Sequence, residues 1–256
     1  MNAIAIIPAR MGATRFPGKP MKPLLGMPMI GHCYHRTALA SGFSEVYVAT
    51  CDQVISDYVK SIGGKAIMTS ELHDRASTRT AEALSIIEEQ QSEPIDIVVM
   101  VQGDEPIIGP DVISETLAHF GNKDVQIVNI MSELNTKEAF LDHNNVKVVV
   151  DSRSNALYFS REPIPSPWKG WEQLPRYMQT GIIAFRRDAL IQFNAMSETD
   201  LERYESVDMN RVLESGGSIR MVATSKFTIG VDTEKELQLA EKFLTTDKSM
   251  KLYMNK

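Results

Sequence analysis

The residues best placed to do chemistry lie between two prolines: Pro8-Ala9-Arg10-Met11-Gly12-Ala13-Thr14-Arg15-Phe16-Pro17-Gly18-Lys19-Pro20. Arg10, Arg15 and Lys19 alternate with Gly12 and Gly18. Glycine lets backbone N–H groups approach phosphate oxygens, while guanidinium and ammonium groups neutralise their charge. The apolar run Ala3-Ile4-Ala5-Ile6-Ile7 leads straight into this loop, and ligands of open α/β sheets bind at the carboxyl ends of strands. Polyphosphate binding is the chemistry indicated; a solvated basic turn is the plain alternative. The two familiar phosphate motifs do not fit. There is no G-x-G-x-x-G, and Gly12 to Gly18 is one residue too long for a Walker A loop, whose Ser or Thr place holds Pro20.

Two acidic positions complement the loop. Gln102-Gly103-Asp104-Glu105-Pro106 follows a strongly apolar strand pattern, Ile95 to Val101. Magnesium prefers one or two carboxylates together with substrate phosphate oxygens, which makes Asp104 a candidate ligand. Asp232, in Ile229-Gly230-Val231-Asp232-Thr233-Glu234, is the second candidate, with helix N-capping as its alternative role. The histidines are scattered, without zinc-site spacing, and no nucleophile elbow is present.

The elements that must position these groups follow from periodicity. Strands are expected at Ala3–Ile7, Glu45–Thr50, Lys65–Met68 and Ile95–Val101, and helices at Pro28–Ala40, after a capping Asp52, and at Ser77–Gln90. This alternation predicts an α/β fold with an open, mainly parallel sheet. Beyond Val125 the pattern loosens. Strands are expected at 126–131, 146–150, 156–160, 181–185 and 219–223, and helices at 188–193, 205–214 and 233–244. Pro163 to Pro175, holding four prolines and both tryptophans, reads as an irregular loop that covers a site or joins a subunit contact. The 256 residues, 43% hydrophobic and 23% charged, exclude a disordered chain or a disulfide scaffold. A net charge of −6 argues against nucleic-acid binding. Cys33 and Cys51 are expected to be reduced thiols. No targeting segment and no apolar run near the about 20 residues of a membrane span is visible, so a soluble cytoplasmic protein is expected.

The string from Ile7 to Pro20 resembles the N-terminal signature of the 3-deoxy-manno-octulosonate (Kdo) cytidylyltransferases. Gln102–Pro106 and Gly230–Leu237 resemble two further signatures of that family, in the same order. The resemblance implies a Rossmann-like nucleotidyltransferase fold in a single domain, with inserted strands and a sugar-binding and dimerisation region at about 126–215. It implies transfer of CMP from CTP to a sugar acid, with release of pyrophosphate, for lipopolysaccharide or other surface polysaccharide. Arg10, Gly12, Ala13, Thr14, Arg15 and Lys19 would contact the nucleotide, with Ala76 and Arg79 near the base. Asp104 and Asp232 would hold Mg2+, and with Arg10 and Lys19 would be the catalytic set. Gln102, Arg161, Gln179 and Asp208 would bind the sugar, Arg161 pairing its carboxylate. A homodimer is implied, without nucleic acid or membrane insertion.

Three places depart from the family pattern. Thr78 replaces an acidic residue, Gln179 stands where a histidine is common, and Asp208-Met209 replaces a Glu-Gln pair. These changes make a modified Kdo or a nonulosonic acid a competitor to Kdo. A P-loop kinase is disfavoured by the loop spacing, and a silent nucleotide-binding protein by the retained aspartates.

Overall fold

Every residue of Ala3–Pro8 (β1) is buried, as a strand covered by helices on both faces requires. The computed structural model describes residues 1–12 and 16–254. After β1 come a short hairpin, β2 (Pro23–Leu24) and β3 (Met27–Pro28), then α1 (Met29–Ala38), β4 (Glu45–Thr50) and α2 (Gln53–Ser61). These are followed by β5 (Lys65–Met68), α3 (Ala76–Gln90), β6 (Ile97–Val101) and α4 (Pro110–Ala118). The second half runs β7 (Ile127–Glu133), α5 (Lys137–Leu141), β8 (Lys147–Val150), β9 (Ala156–Ser160), β10 (Tyr177–Arg186) and α6 (Arg187–Ala195). It closes with α7 (Asp200–Glu205), α8 (Met209–Glu214), β11 (Arg220–Thr224), α9 (Glu234–Leu244) and α10 (Lys251–Met254).

The main sheet has the order β11-β7-β10-β6-β1-β4-β5, with β8 and β9 attached through β10. Strands β6, β1, β4 and β5 are mutually parallel, as is the pair β7 and β11. β10 runs antiparallel to both of its neighbours in that row, β6 and β7. Alternation along β1 sends Ile4 and Ile6 into one core with Leu84, Phe193 and Met209. Ala3 and Ile7 face the other, with Ile30, Val59 and Val112. A third, smaller core joins Leu24, Ile107 and Val231 to Leu237 and Leu244 of α9. No helix among the described residues is long and apolar enough to cross a membrane.

The expected helix over 205–214 is two. Ser206 takes a left-handed conformation (φ 52°), which ends α7, and α8 starts again at Met209. Asp52 stands at the N-cap of α2, but its side chain makes no capping bond. α4 has no counterpart among the expected elements. Gly109 stands at its N-cap and Pro110 opens it, a position to which Pro is well suited.

Candidate active site

The carboxyl ends of β1 and β6 open into a cavity of about 490 Å³, a size suited to a nucleotide-scale ligand. Gly103 crosses directly over the end of β1, where an added Cβ would lie 3.0 Å from the Pro8 carbonyl oxygen. That close approach delivers the next residue, Asp104, to the phosphate-loop side. Val231 N–H donates to the Asp104 carbonyl at 2.8 Å, joining the two acidic segments through the backbone. Between the carboxylates sits Lys19, its Nζ 2.6 Å from Asp104 Oδ2 and 2.8 Å from Asp232 Oδ1. Burial disfavours the Lys19 charge, but the two carboxylates outweigh it and hold its pKa above the ordinary lysine value. Asp232 is thus part of the site, and Thr233, whose side chain accepts from Glu236 N–H, caps α9.

Arg10 reaches across the cavity mouth, donating to the His73 carbonyl at 3.0 Å and to Asp74 Oδ1 at 3.2 Å. Arg79 is buried and donates to Thr69 Oγ1 and to the Ser70 and His73 carbonyls. It therefore shapes the 69–73 loop on the wall where Ala76 begins α3. The loop after β1 is pinned where it leaves the strand. Met11 N–H donates to Asp52 Oδ2 at 2.8 Å, and Gly18 N–H, with φ +71°, closes back on the Met11 carbonyl at 3.1 Å. This is what Asp52 does instead of capping. Gly12 is exposed and does not line the cavity. Ala13, Thr14 and Arg15 lie outside the described residues.

Gln102, Arg161, Gln179 and Asp208 all line the same cavity. Gln102 packs on Gly181, where a Cβ would fall 2.7 Å from Gln102 Cβ. Glu105 accepts the Gly181 N–H through Oε1, while its Oε2 has no hydrogen-bond partner among the described residues. Enclosure pushes the Glu105 carboxyl up to about 7; the Gly181 N–H opposes the rise and nearby Asp104 adds to it. The pairing of β10 with β7 shifts register between Gln179 and Ile183. Asn129 fills this irregularity, its Nδ2 donating to the Thr180 and Ile182 carbonyls.

Arg161 is held firmly. Its Nε donates to the Glu205 carbonyl at 2.8 Å and its Nη1 to the His143 carbonyl at 2.9 Å. The Glu205 carboxylate accepts from Tyr158, Ser160 and the Arg161 backbone. Fully buried Lys147 donates to the Asp142 and Arg161 carbonyls, and burial lowers its pKa. Asp208 accepts from Ser77 Oγ at 2.9 Å, which ties α8 to the first turn of α3; burial raises its pKa. Met209, its neighbour, is fully buried in the core and is not on the cavity wall. Trp168 is exposed and Trp171 stacks on Arg176, and neither lines the cavity.

The sequence model of a family described as cytidylyltransferase matches residues 4–226. The chain belongs to the cytidylyltransferase family. Like its relatives it is a nucleotidyltransferase enzyme. A 3-deoxy-manno-octulosonate cytidylyltransferase of Geobacter metallireducens is 41% identical over 248 residues, 93% of this chain and 95% of the relative. An 8-amino-3,8-dideoxy-manno-octulosonate cytidylyltransferase of Shewanella pealeana is 39% identical over 252 residues, 96% of this chain and all of the relative (100%). A solved structure, CMP:2-keto-3-deoxy-manno-octonic acid synthetase complexed with CTP, superposes with a TM-score of 0.86 at 34% identity, over 96% of this chain and 99% of that one. The Rossmann-like nucleotidyltransferase fold is therefore established for this cytidylyltransferase.

Sequence reasoning gave Asp52 only a capping role and did not assign Asn129, Lys147 or Glu205 to the site, because each acts by holding another residue. Glu105 was within reach. It sits inside the Gln102–Pro106 string, one position beyond a strand-end aspartate.

Proposed function

We propose that this cytidylyltransferase transfers CMP from CTP to a 3-deoxy-ulosonic acid, Kdo or its 8-amino relative, releasing pyrophosphate for the building of lipopolysaccharide or another surface polysaccharide. The observation that carries this reading is the single cavity that unites Arg10, Lys19, Asp104 and Asp232 with Arg161, Gln102 and Gln179. In the reaction the anomeric oxygen of the sugar bonds to the α-phosphorus as the bond to the β-phosphate oxygen breaks. The hydroxyl proton is given up to solvent, and pyrophosphate departs. Such chemistry needs positioning and charge neutralisation rather than a covalent nucleophile.

Asp104 and Asp232 suit a hard divalent cation, since they already bracket a positive charge at hydrogen-bonding distance. No group of three or more His, Cys, Asp or Glu side chains is gathered for a metal among the described residues. A cation here would draw its remaining oxygens from phosphate and water, as Mg2+ does. When bound, that ion would neutralise the triphosphate and polarise the α-phosphoryl group. Arg10 and Lys19 neutralise charge on the triphosphate, with the loop residues Ala13, Thr14 and Arg15 as the expected further contacts. Ala76 and Arg79 shape the base wall. Arg161 anchors the sugar carboxylate through its guanidinium, with Gln102, Gln179 and Asp208 around the sugar.

Residues 126–215 form the sugar-binding and dimerisation part of one domain. Exposed Leu157 and Trp168 in that region support a homodimer. The free thiols of Cys33 and Cys51 suit the cytoplasm. The test is metal-dependent pyrophosphate release from CTP with Kdo, 8-amino-Kdo or N-acetylneuraminate as acceptor. Release is expected with one of the two octulosonates. Turnover of N-acetylneuraminate alone, or of none of the three, would overturn the assignment.

A further inference from the structure

Lys19 occupies the place between Asp104 and Asp232 where a metal charge would sit. Its Nζ spends two N–H groups on the two carboxylates, at 2.6 and 2.8 Å. All three side chains are largely shielded from solvent, with 13%, 19% and 27% of their surfaces exposed. A divalent ion entering the same gap would meet an ammonium group already in contact with both of its ligands. At such separations, in a partly desolvated site, like charges repel strongly. The ion can be seated only when something else draws the ammonium away.

The backbone does not move Lys19 aside. Gly18 N–H is bonded to the Met11 carbonyl, Lys19 N–H to the Phe16 carbonyl, and buried Pro20 follows. Only the flexible four-carbon stem is free to carry the charge elsewhere. The triphosphate of the nucleotide is the group with enough negative charge to do so, and Arg10 lines the same cavity.

We infer that Lys19 excludes divalent metal from the nucleotide-free enzyme, so that the ion is held only together with CTP, whose phosphates take the ammonium in exchange. This rests on the reading that Asp104 and Asp232 receive the metal. It assigns Lys19 a second duty besides neutralising phosphate: it sets the order in which the site assembles.

The experiment is titration of the intact, nucleotide-free protein with Mn2+, free ion being counted by electron paramagnetic resonance. Wild type is compared with Lys19→Met and Lys19→Arg. Lys19→Met should bind Mn2+ about tenfold or more tightly than wild type without CTP, whereas Lys19→Arg should stay weak. Equal Mn2+ affinity in wild type and Lys19→Met, whether both tight or both weak, would overturn the proposal. Thermal melting of wild type gives a second check that needs no variant. Mg2+ alone should leave the melting temperature unchanged, and Mg2+ with CTP should raise it beyond CTP alone. A rise with Mg2+ alone equal to that with Mg2+ and CTP would also overturn it. The ligand assignment is tested separately by Asp104→Asn with CTP present: undiminished Mn2+ binding there would remove the metal reading itself, whatever Lys19→Met does.

Discussion

At Glu105 a carboxyl group is enclosed with one oxygen on the Gly181 N–H and the other unpartnered among the described residues. Its pKa stands at about 7 in the folded chain, against an ordinary value of 4.5. Below 4.5 both folded and unfolded chains carry the proton, and this group does not affect stability. Between 4.5 and 7 the unfolded chain ionises while the folded one stays protonated, so stability falls as pH rises and levels off above. The full difference is about 3 kcal/mol. Glu105→Gln keeps the shape of the protonated acid and cannot ionise. Wild type should therefore lose melting temperature relative to Glu105→Gln between pH 5 and 7.5, and parallel curves across that range would refute the enclosed-acid picture. The same residue ties the Asp104 turn to β10, so its protonation bears on both halves of the cavity.

At the level of elements, the break between α7 and α8 positions the Arg161 side of the cavity. A continuous helix across Ser206 would commit the Glu205 carbonyl to an N–H four residues further on; the left-handed turn leaves that carbonyl to accept from Arg161 Nε, while the carboxylate accepts from the Arg161 backbone. Glu205→Ala should raise the KM for the sugar acid about tenfold while leaving that for CTP within about twofold, an effect of the size expected from losing charge-assisted hydrogen bonds. Equal effects on both substrates would mean that Glu205 merely supports the fold. The apolar or β-branched runs Ala3–Ile7, Glu45–Thr50 and Lys65–Met68 made the first strands readable almost to the residue; Ala3–Ile7, buried on both faces, is the clearest because it is apolar throughout. The left-handed Ser206 was not readable, since nothing local distinguishes it from a helical serine. Gln102, Arg161, Gln179 and Asp208 share one cavity, as expected from the resemblance. The partners that orient them were hidden because they are remote in sequence. Met209 shows the opposite failure: its place in the family's Glu-Gln pair suggested a pocket residue, but helical geometry turns it into the core.

For the whole molecule, Arg36 is the clasp between the sheet and the C-terminal segment. From α1 it donates to the Ile108 carbonyl at 2.6 Å and the Ile107 carbonyl at 3.0 Å, and it pairs with Asp247. Arg36→Met should cost about 3 kcal/mol or more in urea unfolding, because two carbonyls and a shielded carboxylate lose their partner together. A loss below about 1 kcal/mol would show that the C-terminal segment docks without it. The sheet order carries a consequence for how the chain is made. β1, β4, β5 and β6 pair among themselves through short crossovers, but β7 and β11 join them only through β10, which emerges much later. Lys19 and Asp232 then meet across 213 positions of sequence. Contacts that close such long loops are slow to form. A nascent or half-folded chain therefore holds a partial sheet but no complete acidic pair around Lys19, so chemistry waits for the last part of the chain to arrive.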